Sequence, residues 1–277
     1  MSRVSVTNEG SQVELEVSDS GGSGRPVVLI HGWPLSHEAW SDQTPALTTA
    51  GYRVVSYDRR GFGGSDKPEG GYDYDTLSDD LAGVLESLDL SDVTLVGFSM
   101  GGGEVARYVA RHGQDRLHSV VFASAVPPFM LHTDDNPEGP LEREAADEMK
   151  QGVRDQGAEF YEGFTTNFFT AGEELQVSQD QLATARRLCG QADETAAVEC
   201  IEAFAATDFR DDLTHLTVPT LVLHGSADGI VPFENSGMRT SEIVEGARVH
   251  VIDGGPHGVN VSHPSEFNLA LLSFLED

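Results

Sequence analysis

The chain has 277 residues, of which 39% are hydrophobic and 8% aromatic, a composition typical of a globular protein rather than a disordered or fibrous one. Its 46 acidic residues outnumber 17 basic ones, and the formal net charge of −29 argues against nucleic acid and anionic membranes as partners. No apolar run approaches the ~18 residues of a membrane span, and "MSRVSVTNEG" shows no secretory pattern. We therefore expect a cytoplasmic protein.

The acidic residues are scattered along the chain instead of forming a tail, as in "DYDTLSDD" and "EGPLEREAADEMK". This pattern resembles that of proteins from salt-accumulating halophiles, in which concentrated counter-ions screen the repulsion between acidic groups. An ordinary acidic protein is the alternative. On the halophilic interpretation, activity should require high salt. The composition does not determine the oligomeric state, and a homo-oligomer is compatible with it.

The predicted elements begin with "RVSVTNEGSQVELEV", residues 3–17, which has the pattern of a β-hairpin. Four β-like runs follow, and they are mostly continuous apolar stretches of the kind buried on both faces of a parallel sheet. These runs are "PVVLIHG", "YRVVSYD", "VTLVGF" and "LHSVVFASA". Helix-like stretches lie between most of the strands, so we expect right-handed crossovers.

From about Pro127 to Thr214 the sequence is polar, has helical periodicity and contains no convincing strand. Strand patterns resume in "TLVLHG" and "ARVHVID", and "PSEFNLALLSFLED" closes the chain as a predicted amphipathic helix. This alternation predicts an α/β fold with a mostly parallel central sheet and flanking helices. We expect residues 1–277 to form one domain, with residues 127–214 inserted as a helical cap lobe. Cys189 and Cys200 are expected to be small buried apolar residues rather than a disulfide.

The stretch "VTLVGFSMGGGEVARYVARHG" places one serine between glycines, after a β-run and before a helical pattern. In a strand–turn–helix with the pattern G-x-S-x-G, the turn projects the serine above the sheet, and a β-carbon on either glycine would collide with a neighbouring element. Residues 97–101 fit this pattern, so Ser99 is the candidate nucleophile. The alternative is a tight glycine turn in which Ser99 only caps the helix.

A nucleophilic serine needs a base, an acid that orients the base, and an oxyanion hole. Asp228 follows the predicted strand "TLVLHG", and His257 lies in a glycine-rich loop after the next strand. Both positions are at strand carboxyl ends, where open α/β sheets hold their sites. Asp228 is therefore the candidate acid and His257 the candidate base. Three other residues are alternatives for the acid or the base. We expect Asp253 to end a strand, His263 to begin the last helix and His224 to lie in the core. No spacing of histidines and carboxylates predicts a metal site.

An oxyanion hole requires two backbone N–H donors, one from the residue after the nucleophile and one from a loop after an earlier strand. The segment "VVLIHGWPLSHEAW" supplies such a loop. The backbone N–H groups of Trp33 and Met100 are therefore the predicted donors. We expect His31 to hold this loop by hydrogen bonds rather than to act in catalysis.

Four motifs, "LIHGWPLS", "SYDRRGFGGSDKP", "GFSMGGGEVARYVARHG" and "HGSADGIVP", occur in this order and together resemble the α/β-hydrolase family. The similarity is to its bacterial cofactor-free haloperoxidase and arylesterase branch, from about Val27 to the C-terminus, and is weakest across the predicted cap. The resemblance implies no metal, haem or nucleotide, and "DRRGFGGSDKP" is expected to be a structural turn. It implies Ser99 as nucleophile, Asp228 as orienting acid and His257 as base. It also implies Trp33 and Met100 as the oxyanion donors.

By this resemblance the chain is expected to be a serine carboxylesterase that acts through an acyl-enzyme on small or aryl esters. In the branch, hydrogen peroxide can replace water as the acyl acceptor, and the resulting peracid oxidises halide in solution. Pro34 stands where the perhydrolytic members carry proline. We hypothesise that it stiffens the Trp33 loop and positions the Trp33 carbonyl to accept from peroxide; alternatively, it only terminates the strand.

A pocket for an apolar acyl or aryl group of modest size is expected around the nucleophile. Its predicted lining residues are Pro34, Phe98, Phe164 and Phe168, although the cap aromatics could equally form the cap's own core. Small esters or carboxylic acids, with hydrogen peroxide as a second reactant, are the expected partners.

Other activities on the same scaffold stay open, including lactonase, amidase and a ligand-sensing receptor that turns over slowly. A haloalkane dehalogenase or an epoxide hydrolase would carry an aspartate where Ser99 stands. A hydroxynitrile lyase would need a lysine in the pocket, but Lys67 and Lys150 lie outside every predicted site motif.

Overall fold

A computed structural model describes residues 1–8 and 11–276. Its first two strands, β1 (Ser2–Asn8) and β2 (Ser11–Asp19), pair antiparallel, so the predicted N-terminal hairpin is confirmed. Residues 9 and 10, which the hairpin prediction included, lie outside the described residues.

The other strands of the main sheet coincide with the predicted β-runs. In the eight-stranded sheet the order is β1-β2-β4-β3-β5-β6-β9-β10, where β2 pairs antiparallel with β4 and all later pairs are parallel. This confirms the predicted, mostly parallel central sheet. The ranges are β3 (Pro26–Ile30), β4 (Arg53–Tyr57), β5 (Val93–Phe98), β6 (Leu117–Ala123), β9 (Thr220–Gly225) and β10 (Arg248–Ile252).

Helices connect these strands and cover the sheet. No helix in the described part of the chain is long and apolar enough to cross a membrane. The predicted C-terminal helix is present and ends at Leu275, while residue 277 lies outside the described residues. The helices outside the long insertion are α1 (Gln43–Thr49), α2 (Tyr74–Ser87), α3 (Met100–His112), α9 (Gly237–Ile243), α10 (Val259–Ser262) and α11 (Pro264–Leu275), with short 3-10 turns at His37–Trp40 and Phe233–Asn235.

The segment between β6 and β9 contributes no strand to the main sheet. It contains α4 (Arg143–Gln156), α5 (Ala158–Phe168), α6 (Gln179–Cys189), α7 (Glu194–Ala206) and α8 (Arg210–Thr214). The prediction that it contains no strand is wrong, because β7 (Thr170–Ala171) and β8 (Glu174–Leu175) form a small antiparallel hairpin. Two-residue strands are too short to show a period of two, and only Gly172, with φ +61°, marks the turn. The description of this segment as a cap lobe stays a prediction.

The two cysteines of the insertion behave as predicted. Cys189 and Cys200 are both buried and neither forms a disulfide. Burial raises the pKa of each thiol to about 12, so both stay protonated at neutral pH.

The central strands place the candidate residues at one edge of the sheet. Every residue of β5 and β9 is buried, as expected for strands that are covered on both faces. Ser99 follows β5 directly, Asp228 lies three residues beyond β9, and His257 lies five residues beyond β10. Because these strands are parallel, their carboxyl ends meet at the same edge and bring residues distant in sequence together.

Candidate active site

Ser99 occupies a sharp turn between β5 and α3. Its φ and ψ are 54° and −120°, outside the helical region and unfavourable for a residue with a side chain. A β-carbon on Gly97 would lie 2.5 Å from the carbonyl oxygen of Gly101, and one on Gly101 would lie 2.6 Å from the carbonyl oxygen of Ile30. Both obstacles are backbone atoms, so the turn needs glycine on each side of Ser99.

The structure brings the three predicted polar residues into one hydrogen-bonded chain. The Ser99 hydroxyl oxygen lies 3.0 Å from His257 Nε2, and His257 Nδ1 lies 2.7 Å from Asp228 Oδ2. All three side chains are buried. In this arrangement the imidazole can accept the hydroxyl proton at Nε2 while the carboxylate holds its Nδ1–H.

The Asp228 carboxylate is held in its ionised form. Burial alone would raise its pKa, but the charge of His257 and hydrogen bonds from His224 and His257 outweigh burial and hold the pKa well below its usual value. The second carboxylate oxygen, Oδ1, accepts from the backbone N–H groups of Ile230 at 3.0 Å and Val231 at 2.8 Å. The negative charge therefore stays beside the imidazole at neutral pH.

Two of the alternative candidates for the acid and the base, Asp253 and His263, lie at the predicted places outside the hydrogen-bonded chain. Asp253 follows the end of β10, and its carboxylate accepts from the Ser226 hydroxyl at 3.2 Å. His263 precedes the first residue of α11, and its Nδ1 lies 2.9 Å from the Ser262 hydroxyl.

His224 was predicted to be a core histidine, and it is fully buried. Its Nε2 lies 2.8 Å from the Val231 carbonyl oxygen. The same nitrogen is 3.2 Å from Asp228 Oδ2, a contact that the sequence analysis did not anticipate. The spacing of four residues in "HGSAD" is the only local signal for this contact, since both side chains lie at one strand end.

The two predicted oxyanion donors both flank Ser99. Met100 is the first residue of α3, where backbone N–H groups have no partner within the helix. The Trp33 loop lies against the nucleophile, because a β-carbon on Gly32 would be 2.9 Å from the Ser99 β-carbon. Within the described residues, neither the Trp33 nor the Met100 backbone N–H donates a hydrogen bond. Both groups are therefore free to bind an oxyanion.

His31 holds the loop that carries Trp33. Its Nδ1 donates to the Gly32 carbonyl at 2.9 Å, and its Nε2 accepts from the backbone N–H of Arg59 at 3.0 Å. Burial, followed by the charge of Arg59, lowers the pKa of His31 to about 3. The imidazole is therefore neutral and has a fixed tautomer, which suits a structural role.

The segment "DRRGFGG" forms a turn rather than part of the site. The Asp58 carboxylate accepts from the backbone N–H of His37 at 2.7 Å and of Gly64 at 2.8 Å. Next to it, the Arg59 guanidinium forms a buried ion pair with Glu104 of α3. The ion pair joins the turn that follows β4 to α3.

A small, mostly apolar cavity opens directly on Ser99 and His257. Its volume is about 50 Å³, below the usual range of ligand pockets and sufficient only for a small group such as a short acyl chain. Trp33 forms one wall, and its ring packs against aromatic rings of α5 and α7, while its indole N–H donates to the Ala197 carbonyl at 3.0 Å. The other lining residues are Val126, Met130, Leu141, Met149, Phe164, Phe204, Ile230 and Val231.

The predicted pocket residues take different places in the structure. Phe164 lines the cavity, whereas Pro34 is buried and is not among the lining residues. Phe98 and Phe168 are also outside the lining and instead pack on the His257 ring, with ring centroids at 5.2 Å and 4.7 Å. They orient the imidazole rather than form the wall of the cavity.

Most of the lining was missed by the sequence analysis. Val126, Ile230 and Val231 follow strand carboxyl ends and could have been found from the rule that placed Asp228. Met149 and Phe204 lie on helices of the insertion, and no local pattern shows which apolar face of such a helix points at Ser99.

Comparison with known proteins defines the class. The profile of the family described as alpha/beta hydrolase fold matches residues 25–264. The chain therefore belongs to the α/β-hydrolase family, as its motifs predicted.

Within this family the similar proteins include haloperoxidases and an esterase/perhydrolase. The chain is 43% identical to the non-heme chloroperoxidase CPO-A1 of Kitasatospora aureofaciens and 36% identical to the bifunctional esterase/perhydrolase DCH of Acinetobacter calcoaceticus, each over 98% of both chains. The superposition on the crystal structure of bromoperoxidase from Bacillus anthracis covers 100% of both chains, with a TM-score of 0.96 and 48% sequence identity. These relatives confirm the branch that the motifs indicated.

Proposed function

We propose that the protein is a serine carboxylesterase for small or aryl esters that also forms peracids from hydrogen peroxide. The observation that carries the proposal is the chain of hydrogen bonds from Ser99 through His257 to Asp228, opening on a small apolar cavity. Such a cavity suits an acyl or aryl group and offers few polar groups to a charged ligand.

In the proposed mechanism, His257 Nε2 takes the Ser99 proton while the Ser99 oxygen attacks the ester carbonyl. The carbonyl oxygen becomes negative and is stabilised by the backbone N–H groups of Trp33 and Met100. The alcohol leaves as His257 returns the proton to it. Water, deprotonated in turn by His257, then releases the acid from Ser99, and hydrogen peroxide in place of water releases the peracid.

We also propose that residues 127–214 act as a cap over the cavity. Met130, Met149, Phe164 and Phe204 come from this segment and line the cavity. The apolar cap would limit the entry of bulk water and favour acyl groups over charged ones.

We propose in addition that the enzyme works at high salt. The scattered acidic charge of the chain supports this proposal.

Hydrolysis of p-nitrophenyl acetate in high salt, with and without hydrogen peroxide, tests the function. Ester turnover should be lost in Ser99→Ala, and bromide-dependent halogenation of a dye should require peroxide. Ser124→Ala is a matched control, because Ser124 also follows a strand of the sheet and has a positive φ of 43°. Its hydroxyl is buried and has no hydrogen-bond partner among the residues that the structure describes. This control should keep wild-type activity.

Three results would change the proposal. Ester turnover without halogenation would leave a plain carboxylesterase. Equal turnover in wild type and Ser99→Ala would contradict the role of Ser99. Absence of turnover in the wild type across small esters would favour the ligand-sensing receptor.

A further inference from the structure

His224 uses a single nitrogen to contact both parts of the loop that follows β9. It is the fifth of six residues in that strand and is completely buried. Its Nε2 lies 2.8 Å from the Val231 carbonyl oxygen and 3.2 Å from Asp228 Oδ2. Both neighbours are acceptors, so Nε2 must carry the hydrogen, which points at the nearer Val231 carbonyl.

The loop 228–231 performs two tasks at once. Asp228 presents its carboxylate to His257, and Ile230 and Val231 line the cavity beside Ser99. Asp228 Oδ1 accepts from the backbone N–H groups of Ile230 and Val231, so the loop folds back on its own carboxylate. From the strand side, the His224 N–H donates to the Val231 carbonyl at one end of the loop, and the same nitrogen lies 3.2 Å from the carboxylate at the other end.

Among the described residues, the other ring nitrogen of His224 makes no polar contact, so the polar contacts of this side chain there are those of Nε2. Within the described residues, Nδ1 of His224 is buried and has no hydrogen-bond partner. A β-carbon on Gly237 would lie 2.7 Å from it, and the Phe233 ring lies at a centroid distance of 5.5 Å. An unpaired nitrogen in such surroundings costs stability. A residue that served only to fill the core would avoid this cost.

We propose that His224 is a positioning residue of the active site, which fixes the Asp228 carboxylate and the Val231 backbone through its Nε2–H group. This inference rests on the proposed serine-hydrolase function and deepens it. Without the donor, the Val231 carbonyl would lose its partner, and Asp228 Oδ2 would lose the second imidazole that lies beside it together with His257. The imidazole of His257 would then be held less accurately for proton transfer.

Two substitutions separate the N–H group from the ring. His224→Phe keeps an aromatic ring of similar size and removes the donor, whereas His224→Gln removes the ring and can place an amide N–H near the position of Nε2. We expect kcat on p-nitrophenyl acetate to fall about 10- to 100-fold in His224→Phe, as for other small misplacements of catalytic groups. KM should change less, and His224→Gln should recover most of the lost kcat.

A second measurement does not depend on turnover. The proton between His257 Nδ1 and Asp228 should give a separate downfield proton resonance, which should shift or broaden in His224→Phe and return towards its original position in His224→Gln. Wild-type kcat and an unmoved resonance in His224→Phe would overturn the proposal, as would an equal loss in both variants. If the wild type hydrolyses no ester, the proposed function fails, while the resonance still tests the role of His224.

Discussion

At the scale of single residues, the site depends on how the His257 imidazole is held. Its two nitrogens contact Ser99 and Asp228, while Phe98 packs against the ring at a tilt and Phe168 packs against it in a T-shaped contact. With the hydrogen bonds and the aromatic contacts together, the ring has little freedom to turn. Because the site is buried, the Asp228 charge acts on the imidazole through a medium of low dielectric constant and is weakly screened.

Pro34→Leu is expected to lower the ratio of perhydrolysis to hydrolysis and to leave hydrolysis largely intact. The Trp33 carbonyl accepts no hydrogen bond within the described residues and is free for peroxide, and a proline ring stiffens the chain that follows it. The ratio is measured as dye halogenation against p-nitrophenyl acetate hydrolysis. Met149→Leu is the control, since it changes the cavity wall at a residue of α4 that lies outside this loop. An unchanged ratio in Pro34→Leu would show that the proline has only a structural role in the loop after β3.

At the scale of elements, the turn between β5 and α3 positions Ser99 and is sterically crowded. It depends on close approach of backbone to backbone, which glycine alone permits. Glu104 of α3 adds a buried ion pair with Arg59 and accepts from the Tyr57 hydroxyl at 2.6 Å, so α3 is joined to β4 by polar contacts as well as packing. Breaking one partner of such a buried pair is costly, because it leaves the other charge uncompensated.

Gly97→Ala should strongly destabilise the protein and abolish ester turnover. The new methyl group would lie 2.5 Å from the Gly101 oxygen, and backbone atoms cannot move aside cheaply. Gly163→Ala in α5 is the matched control, because no atom lies within 4 Å of the added carbon. It should be neutral or stabilise by about 0.5–1 kcal/mol. Urea unfolding of both variants measures the difference, and similar stabilities would show that the turn can relax.

At the scale of the whole molecule, charge is the outstanding property. Forty-six acidic residues against 17 basic ones leave a large excess of negative charge that ion pairs within the chain cannot neutralise. Exposed ion pairs contribute little stability. The repulsion among the remaining carboxylates therefore opposes the folded state unless counter-ions screen it.

The free energy of unfolding and the esterase activity should both rise from low to multimolar KCl. The reason is that the Debye length falls from about 10 Å at 0.1 M to about 3 Å at 1 M, which removes most of the repulsion between surface carboxylates. Denaturant unfolding and p-nitrophenyl acetate hydrolysis across a KCl series provide the measurement. Sucrose at matched osmolarity serves as the control for simple exclusion effects. Flat profiles would contradict the halophilic interpretation.

Low pH should destabilise the folded state, because it favours protonation of His31, which is buried as a neutral imidazole. Its folded-state pKa of about 3 lies below the ordinary value of 6.5, so between these pH values the unfolded chain binds the extra proton and the folded chain does not. The contribution of neutral His31 to the free energy of unfolding is complete above pH 6.5. It decreases by about 1.4 kcal/mol per pH unit as the pH falls towards 3. Urea unfolding of wild type and His31→Asn at several pH values isolates this contribution. Equal pH slopes in the two proteins would rule it out.

Much of the architecture could be read from short-range patterns. Apolar runs marked the strands of the sheet, the glycines around Ser99 marked the turn, and Asp228 and His257 were placed by the rule that parallel strands end at one edge. These features are local or follow from the order of elements, so the sequence carries them directly. The hairpin β7–β8 was missed because two-residue strands leave no periodic signal.

Side-chain packing between distant elements required the folded structure. Aromatic residues near the nucleophile were expected to face the substrate, yet Phe98 and Phe168 pack on His257, while Met149 and Phe204 from the insertion line the cavity. The double contact of His224 with Val231 and Asp228 was likewise invisible in the chain. Residue type and order therefore defined the fold and the chemistry of the candidate site, because strand pattern, glycine turns and polar strand ends are local properties. The tertiary structure decided which side chains meet, since rotamers and helix faces depend on every neighbour packed against them.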